Sequence, residues 1–307
     1  MLKNGLVKNR ILITGSNGML GQRAVQFYSG KENIELLATS VEEKSLIESV
    51  DYISCDIKDR NSIKKVILDY CPDYIIHTAA FTNVDQSEKF REDAWKINVK
   101  GVEYIAEAAR SLDSHIIHIS TDYIFDGKDG PYSENAIPNP LGYYGRTKLA
   151  SENALRISNT DFTILRTNVL YGIAVNSRPD FVRWVVNSLN ENINIRIVND
   201  QINNPTFIDD LVQAINKIIE FRKTGIYNIG GKEFLTRYDF TMQIADYFNL
   251  NKKLVTAITT EELKQPARRP LKSGLIILKA ETELSYKPHS IIESLAAMKK
   301  ELNGKLS

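Results

Sequence analysis

A tyrosine and a lysine four residues apart form the pair in this sequence best suited to proton transfer. Tyr144 and Lys148 follow Pro140 in a stretch with helical spacing, so both side chains would lie on one face, about one turn apart. A phenol with an ordinary pKa near ~10 is a poor acid at neutral pH, and a neighbouring ammonium group lowers that pKa. We therefore expect Tyr144 to exchange a proton with a carbonyl or alcohol oxygen.

A threonine at the end of a strand could hold the same oxygen. Thr121 and Asp122 come just after the apolar run Ile116–Ile119, and the Thr121 hydroxyl would hydrogen-bond the reacting oxygen and fix its geometry. Tyrosine and lysine at this spacing are also common on protein surfaces, where they do no chemistry. Only together with the threonine and a phosphate-binding loop do they indicate a catalytic site.

A glycine-rich loop of that kind lies near the start of the chain, after the strand-like run Ile11–Thr14. Gly15 would permit a sharp turn, Gly18 would let a pyrophosphate approach the backbone, and Gly21 would let the next helix pack on the sheet. The spacing alone also fits an ordinary turn. Its position favours a nicotinamide dinucleotide as hydride carrier, bound through Gly15, Asn17, Gly18, Met19, Leu20 and Gly21.

The end of the second predicted strand bears on the choice between NAD and NADP. An acidic residue there would hold the ribose hydroxyls of NAD, but this strand ends at Ser40. Glu42 and Glu43 follow, either as solvated loop charges or as a displaced ribose-binding carboxylate. We expect NADP(H) or NAD(H) to bind, with NADPH slightly favoured, and Asp56 and Ile57 to contact the cofactor.

These residues need a parallel sheet to bring them together. Strand-like and helical stretches alternate through the first half, which predicts a doubly wound α/β fold of the Rossmann type. The predicted strands are Ile11–Thr14, Glu35–Thr39, Tyr52–Cys55, Tyr74–His77, Ile116–Ile119 and Phe162–Arg166. The predicted helices, besides one from about Leu20, are Asn61–Tyr70, Phe90–Leu112 and Leu141–Ile157.

The second half is less regular and is punctuated by prolines. It is predicted to contain the helices Asp180–Asn190, Asp209–Phe221, Arg237–Phe248 and Ile291–Leu302 and the strands Ile195–Val198 and Tyr227–Ile229. We expect residues 1–170 to form an NAD(P)-binding domain, to which parts of 199–230 return. Residues 171–307 would form mainly a smaller α/β substrate-binding lid.

Six stretches of the sequence carry a family resemblance. They are Pro72–Glu88, Ile119–Gly127, Pro131–Glu152, Leu165–Gly172, Asn199–Thr206 and Arg268–Leu275. On these stretches the chain resembles the dTDP-4-dehydrorhamnose reductase family of the extended short-chain dehydrogenases, from Gly15 to about Pro288. The resemblance implies reduction of the C4 ketone of a nucleotide-linked 4-keto-6-deoxy sugar, with dTDP-4-dehydro-L-rhamnose as the first choice and dTDP-L-rhamnose as its product.

The resemblance also implies roles for individual residues. Thr121, Tyr144 and Lys148 match the catalytic trio, and Asp122 matches an acid beside it. An arginine near the nucleotide sugar suits a diphosphate because its planar fork binds two oxygens at once, although Arg268 could also be a solvated loop residue. Further cofactor contacts would be Ala79, Ala80, Thr82 and Asn98, and substrate contacts would be Thr121, Tyr123, Asn168, Gln201 and Arg268.

Two features limit what the resemblance implies. Val169 stands where the family usually has a tryptophan by the sugar, so the sugar itself stays open. Some members form metal-bridged dimers through glutamates. Glu191 matches one such position, but the others cannot be placed, so we predict no metal and leave a homodimer as an open expectation.

Composition excludes several other classes of protein. The 39 basic and 38 acidic residues give a net charge of +1, which attracts neither nucleic acid nor an anionic membrane. Cys55 and Cys71 lie in unrelated settings without metal-ligand spacing, while His77 and His118 fit buried strand positions. The N-terminus lacks an apolar signal-peptide core, and no run is long enough to span a membrane. We expect a cytoplasmic protein whose partner is a nucleotide sugar.

Two other functions share this scaffold. A non-catalytic protein similar to the regulatory subunit of methionine adenosyltransferase would keep the fold, but that subunit departs from the Thr-Asp pair that this chain keeps at Thr121 and Asp122. An epimerase or dehydratase would share the trio. The dehydratase generally needs further acid or base groups, and no extra Glu or Cys follows Asp122.

Overall fold

A seven-stranded parallel sheet forms the centre of the molecule. The computed structural model describes residues 8–48, 50–176 and 178–304. Most of the N-terminal segment that lacks a signal-peptide core lies outside these residues. Residues 305–307 of the predicted lid also lie outside them. The strands are β1 (Asn9–Thr14), β2 (Ile34–Ser40), β3 (Asp51–Ser54), β4 (Tyr74–His77), β5 (His115–Thr121), β6 (Phe162–Thr167), β7 (Leu170–Tyr171), β8 (Ile195–Val198), β9 (Ile202–Asn203), β10 (Thr206–Phe207), β11 (Gly225–Asn228), β12 (Leu235–Thr236) and β13 (Val255–Ile258). The central sheet has the order β11-β6-β5-β4-β1-β2-β3, and three short pairs, β7 with β10, β8 with β13 and β9 with β12, lie outside it.

Helices cover both faces of the sheet. They are α1 (Met19–Tyr28), α2 (Arg60–Tyr70), α3 (Val84–Lys89), α4 (Arg91–Trp95), α5 (Gly101–Arg110), α6 (Tyr143–Arg156), α7 (Phe181–Asn190), α8 (Ile208–Phe221), α9 (Arg237–Tyr247), α10 (Thr260–Leu263), α11 (Leu278–Leu284) and α12 (Ile291–Gly304). Along β1, Ile11 and Ile13 belong to a core that includes residues of α1 and α8, whereas Leu12 belongs to a second core with residues of α2 and α5. This alternation confirms the predicted doubly wound α/β fold.

One predicted helix is broken in the structure. The stretch predicted as Phe90–Leu112 consists of α4, a π-helical turn at Lys96–Lys100, and α5. The buried Asn98 lies in that turn, where its side chain exchanges two hydrogen bonds with the Phe81 backbone and donates a third to Thr147 at 2.9 Å. A π-turn of this kind commonly occurs near a functional site, and periodicity alone cannot reveal it.

The chain returns to the sheet late. Strand β11 pairs in parallel with β6, from Gly225 opposite Thr163 to Asn228 opposite Arg166. The core on the α1 and α8 face also contains residues from beyond position 230, so the two halves of the chain share one apolar interior. The two halves of the chain are therefore joined through the core on that face of the sheet.

A buried ion pair fixes α6 against the sheet. Arg166 on β6 donates to both carboxylate oxygens of Glu152, at 3.0 and 2.8 Å, and both side chains are at most 1% exposed. Ser120 on β5 donates to the same carboxylate at 2.6 Å, and Arg166 also donates to the Glu134 carbonyl at 3.0 Å. Every charged atom of Glu152 thus has a partner, which a buried pair requires to be stable.

We predict that Glu152→Ala lowers the free energy of unfolding by about 3–5 kcal/mol, because it leaves the Arg166 charge buried without a partner. Urea denaturation followed by circular dichroism measures this change. Asp69→Ala is the matched control, since it breaks the Lys65–Asp69 pair whose side chains are 75% and 64% exposed, and it should cost less than about 1 kcal/mol. Equal losses in the two variants would contradict a structural role for the buried pair.

Candidate active site

A cavity of about 750 Å³ lies along the carboxyl edge of the sheet. It opens where the strand order reverses between β1 and β4, which is where open α/β sheets bind their ligands. Its volume falls within the range usual for small-molecule and cofactor sites. The predicted site residues that line it are Gly15, Gly18, Met19, Leu20, Ser40, Asp56, Ile57, Ala79, Ala80, Thr82, Thr121, Asp122, Tyr123, Tyr144, Lys148 and Asn168.

The glycine loop fits a dinucleotide pyrophosphate. Gly15 has φ +68°, and a Cβ there would lie 2.5 Å from the backbone nitrogen of Ala79 on the neighbouring strand end. A Cβ on Gly21 would overlap the Gly15 carbonyl oxygen, so Gly21 serves the packing of α1 and does not line the cavity. Helix α1 begins at Met19, and its first amides have no acceptor within the helix and face the predicted anion site.

Tyr144 and Lys148 are brought to the cavity by α6. The N-terminus of this helix lacks a side-chain cap of its own, and the Glu88 carboxylate from α3 accepts the backbone N–H of Tyr143 at 2.7 Å. The i to i+4 spacing then places Tyr144 and Lys148 on the face turned to the sheet, in line with Glu152 one turn further on. Both side chains line the cavity, as the sequence predicts.

Lys148 is buried beside the imidazole ring of His118. Its Nζ is 3.2 Å from Nε2 of His118, and the rings of His118 and His77 stack with centroids 5.4 Å apart. Burial lowers the pKa of Lys148 to about 7, although Glu152 opposes the shift. Burial likewise lowers the pKa of His77 to about 3 and, aided by the Lys148 charge, the pKa of His118, so both imidazoles are neutral at ordinary pH.

Tyr144 is held as a protonated phenol. Burial raises its pKa well above the ordinary value and the Asp122 charge adds to this, whereas a hydrogen bond with Thr121 opposes it. We expected the neighbouring ammonium group to lower the pKa of Tyr144, but within the protein alone that pKa is raised. Loss of water around the phenol outweighs any effect of Lys148.

The carboxyl group of Asp122 is about half ionised at neutral pH. Burial raises its pKa to about 7, while hydrogen bonds from Ser273 and Thr121 oppose the shift. The Ser273 hydroxyl donates to Oδ2 at 2.5 Å and the Thr121 hydroxyl donates to Oδ1 at 3.1 Å. Thr121 also accepts the backbone N–H of Tyr123 at 3.2 Å, so its oxygen is fixed from two sides.

The far end of the cavity suits the adenosine half of the cofactor. Ser40 and Glu42 line it after β2, and Asp56 and Lys58 line it after β3. Asn17 does not line the cavity. Its amide donates to Glu42 at 3.1 Å and so orients that carboxylate. The exposed Glu43 does not line the cavity, which makes Glu42 the carboxylate placed to meet a ribose.

Five predicted site residues do not form part of the cavity wall. They are Asn17, Gly21, Asn98, Gln201 and Arg268. Asn17, Gly21 and Asn98 instead support the residues that do, through the contacts given above. Gln201 is buried and donates to Thr260 at 2.9 Å, whereas Arg268 is exposed on a loop.

Three functional features were missed by sequence reasoning. Arg237, at the start of α9, lines the cavity near Asp122 and Tyr123. His118 contacts Lys148, and Glu152 anchors the helix that carries it. Strand alternation offered a signal for the last two, because His118 and Ser120 lie on one face of β5, against Lys148 and Glu152 one helical turn apart.

The described residues show neither a metal centre nor a membrane span. No group of three or more His, Cys, Asp or Glu side chains within residues 8–48, 50–176 and 178–304 could hold a metal ion. Over the same ranges, no helix has the length and apolar character needed to cross a bilayer.

Comparisons with known proteins agree with this geometry. A family model described as the RmlD substrate binding domain matches residues 9–303. A dTDP-4-dehydrorhamnose reductase of Aggregatibacter actinomycetemcomitans is 35% identical over 291 residues, covering 91% of this chain and 94% of the relative. The crystal structure of dTDP-4-dehydrorhamnose reductase from Bacillus anthracis str. Ames in complex with NADP superposes with a TM-score of 0.85 at 31% identity, covering 96% of this chain and 99% of that one.

A subunit of a methionine adenosyltransferase is also among the relatives. Methionine adenosyltransferase 2 subunit beta of Xenopus tropicalis is 33% identical over 258 residues, covering 82% of this chain and 76% of the relative. The family match nevertheless spans almost the whole chain, and together with the reductase relatives it establishes that this chain belongs to the dTDP-4-dehydrorhamnose reductase family of extended short-chain dehydrogenases.

Proposed function

We propose that this protein uses NAD(P)H to reduce the C4 ketone of a nucleotide-linked 4-keto-6-deoxy sugar. The observation that carries the proposal is one cavity in which Tyr144, Lys148, Thr121 and Asp122 lie beside the glycine loop. This is the constellation that a carbonyl reduction needs, with a proton donor, a charged neighbour and a hydrogen-bonding hydroxyl next to a dinucleotide site. The reductases named among its relatives support the same reaction.

The protein's own groups suit the reductive direction. A bound nicotinamide supplies the hydride. Tyr144 stays protonated at neutral pH and so has a proton to donate to the oxygen that develops charge. Thr121 holds that oxygen, and Lys148, whose pKa is about 7, can restore charge balance as the phenol loses its proton.

The proposed substrate is dTDP-4-dehydro-L-rhamnose, reduced to dTDP-L-rhamnose. Asn168 offers a buried side-chain oxygen without a protein partner on the cavity wall, beside Val169. Val169 gives a smaller apolar contact than the family tryptophan, so a different sugar could fit. Turnover of a panel of nucleotide-4-keto sugars with both reduced cofactors tests the proposal. Tight NADPH binding without reduction of any of them would favour the regulatory function instead.

We also propose that different parts of the chain bind the cofactor and the sugar. Residues 1–170, with β11 added to their sheet, would bind the cofactor, and most of residues 171–307 would bind the sugar. The shared core, in which Tyr171 and Phe240 pack with residues of β1, supports a lid built rigidly onto the nucleotide domain. A homodimer and a cytoplasmic location remain predictions.

We predict that Tyr144→Phe lowers turnover by roughly 10²–10⁴-fold, because the proton donor is lost while the ring remains. The affinity for NADPH should stay within a factor of about three. Steady-state kinetics and cofactor fluorescence measure the two quantities. Tyr143→Phe is the matched control, since the neighbouring tyrosine stacks with Arg91 outside the cavity and should leave turnover unchanged. Normal turnover in Tyr144→Phe would remove this residue as the acid.

Cofactor preference should depend on Glu42. The protein is expected to bind both NADPH and NADH, with less than about 100-fold (~2.7 kcal/mol) between them. Glu42→Ala should shift the preference toward NADPH by about tenfold, because the carboxylate that would repel a 2′-phosphate is gone. Fluorescence titrations with both cofactors measure the ratio, and Glu43→Ala serves as the control. An identical shift in both variants would show that only general surface charge is involved.

The pH dependence of the folding stability should reflect the raised pKa of Asp122. In the folded protein this carboxyl ionises near pH 7 and in the unfolded chain near 3.8. Its favourable contribution is therefore present below pH 3.8 and is lost as pH rises through 7. Asp122→Asn lacks this loss, so its melting temperature relative to wild type should increase from pH 5 to pH 8. Asp126→Asn, at a carboxyl whose pKa is lowered by the Lys128 backbone N–H, should show no such increase in differential scanning fluorimetry.

A further inference from the structure

A guanidinium group lies at the substrate end of the cavity. Arg237 is the first residue of α9, and it lines the same cavity as Thr121 and Tyr144. Its backbone N–H donates to the Gln201 carbonyl at 3.1 Å. Its guanidinium carbon lies 4.9 Å from the centroid of the Phe181 ring, so the side chain is oriented by an aromatic face.

The charge of Arg237 is not balanced by an ion pair with any of the described residues. No carboxylate oxygen among them lies within 4.0 Å of its nitrogens, and Asp122 acts on its charge from a longer distance. Its side-chain hydrogen bond is with Tyr123, whose phenol keeps its proton and brings no negative charge. A cation at the first turn of a helix also opposes the helix dipole, which favours negative charge there. Both features disfavour a positive charge on Arg237 within the protein alone, and an anionic ligand would relieve both.

Other cations near the cavity already have partners or lie elsewhere. Arg269 pairs with Asp85 at 2.9 Å and donates to a backbone carbonyl at 2.7 Å. Arg268 is exposed and does not line the cavity. Lys58 lies at the adenosine end, 3.5 Å from Asp56. Apart from the catalytic Lys148, Arg237 is therefore the cavity cation of the described residues that is left for a substrate.

We propose that Arg237 binds the diphosphate of the nucleotide sugar and so determines specificity for nucleoside diphosphates. The proposal rests on the proposed function. In a pyranose, C1 and C4 lie on opposite sides of the ring, so a sugar whose C4 oxygen meets Tyr144 directs its C1 diphosphate away from that residue. Arg237, on the lid side of the cavity, can receive it with two parallel N–H donors.

Binding of substrate fragments tests the assignment without turnover. Calorimetric titrations of dTDP, dTMP and thymidine would be made with wild type, Arg237→Lys, Arg237→Met and the control Arg268→Met. We expect Arg237→Met to weaken dTDP at least tenfold and thymidine less than twofold. Arg237→Lys should be intermediate, because it keeps the charge without the planar fork. Arg268→Met should bind dTDP like wild type, and NADPH affinity should be unchanged throughout, which also verifies folding.

Several outcomes would overturn the assignment. Unchanged dTDP affinity in Arg237→Met, or a larger loss in Arg268→Met, would place the diphosphate elsewhere. Unchanged dTDP affinity with a shifted pH profile of turnover would mean that Arg237 acts only on the ionisation of Asp122. If Arg237→Met turned over an acidic nucleotide sugar more slowly but bound dTDP normally, the anion that Arg237 binds would be a carboxylate of the sugar. Failure of the wild type to reduce any 4-keto sugar would refute the proposed function alone, since the dTDP titrations do not depend on it.

Discussion

The buried contact between Glu152 and Arg166 is the constraint on which the geometry of the site depends. It joins α6 to β6, and through Ser120 it reaches β5 as well. Helix α6 has no strong cap of its own, and its contacts with the sheet set its rotation about its axis. Since Tyr144, Lys148 and Glu152 lie at successive turns, fixing the last of them fixes the direction of the other two. Glu152 and Arg166 thus neutralise each other's buried charge and also set the position of the proton donor, Tyr144.

Desolvation controls the chemistry above this contact. Lys148 contacts the neutral imidazole of His118, which stacks on His77 and supplies a hydrogen-bonding nitrogen without adding positive charge. Its amine can therefore change protonation state near neutral pH. Asp122, which also lines the cavity, is held by two hydroxyl donors and has a pKa of about 7. Two groups of opposite charge type with similar pKa values flank a phenol that keeps its proton, which is an arrangement suited to moving protons without bulk water.

Several parts of the site could be predicted from the spacing of residues in the sequence. The i to i+4 pair of Tyr144 and Lys148 and the glycine loop after β1 depend on short intervals and strand ends, and the structure places them in one cavity. Contacts that depend on how separate elements pack could not be predicted. In the sequence, Arg237 resembles any residue at the start of a helix, because its entry into the cavity depends on the packing of α9 against α7 and β8. Arg268 matched a family segment, yet it is exposed and does not line the cavity.

The late return of β11 to the sheet has a consequence for synthesis on the ribosome. A nascent chain that has emerged only through Thr167 carries β6 as an open edge, with its backbone groups free to pair with another strand. That edge closes only after Asn228 has emerged. Until then the half-made sheet is a target for aggregation and for chaperones that bind exposed strands. The central sheet therefore cannot be completed before the segment between β6 and β11 has been made, so translation speed over that segment will influence the yield of folded protein.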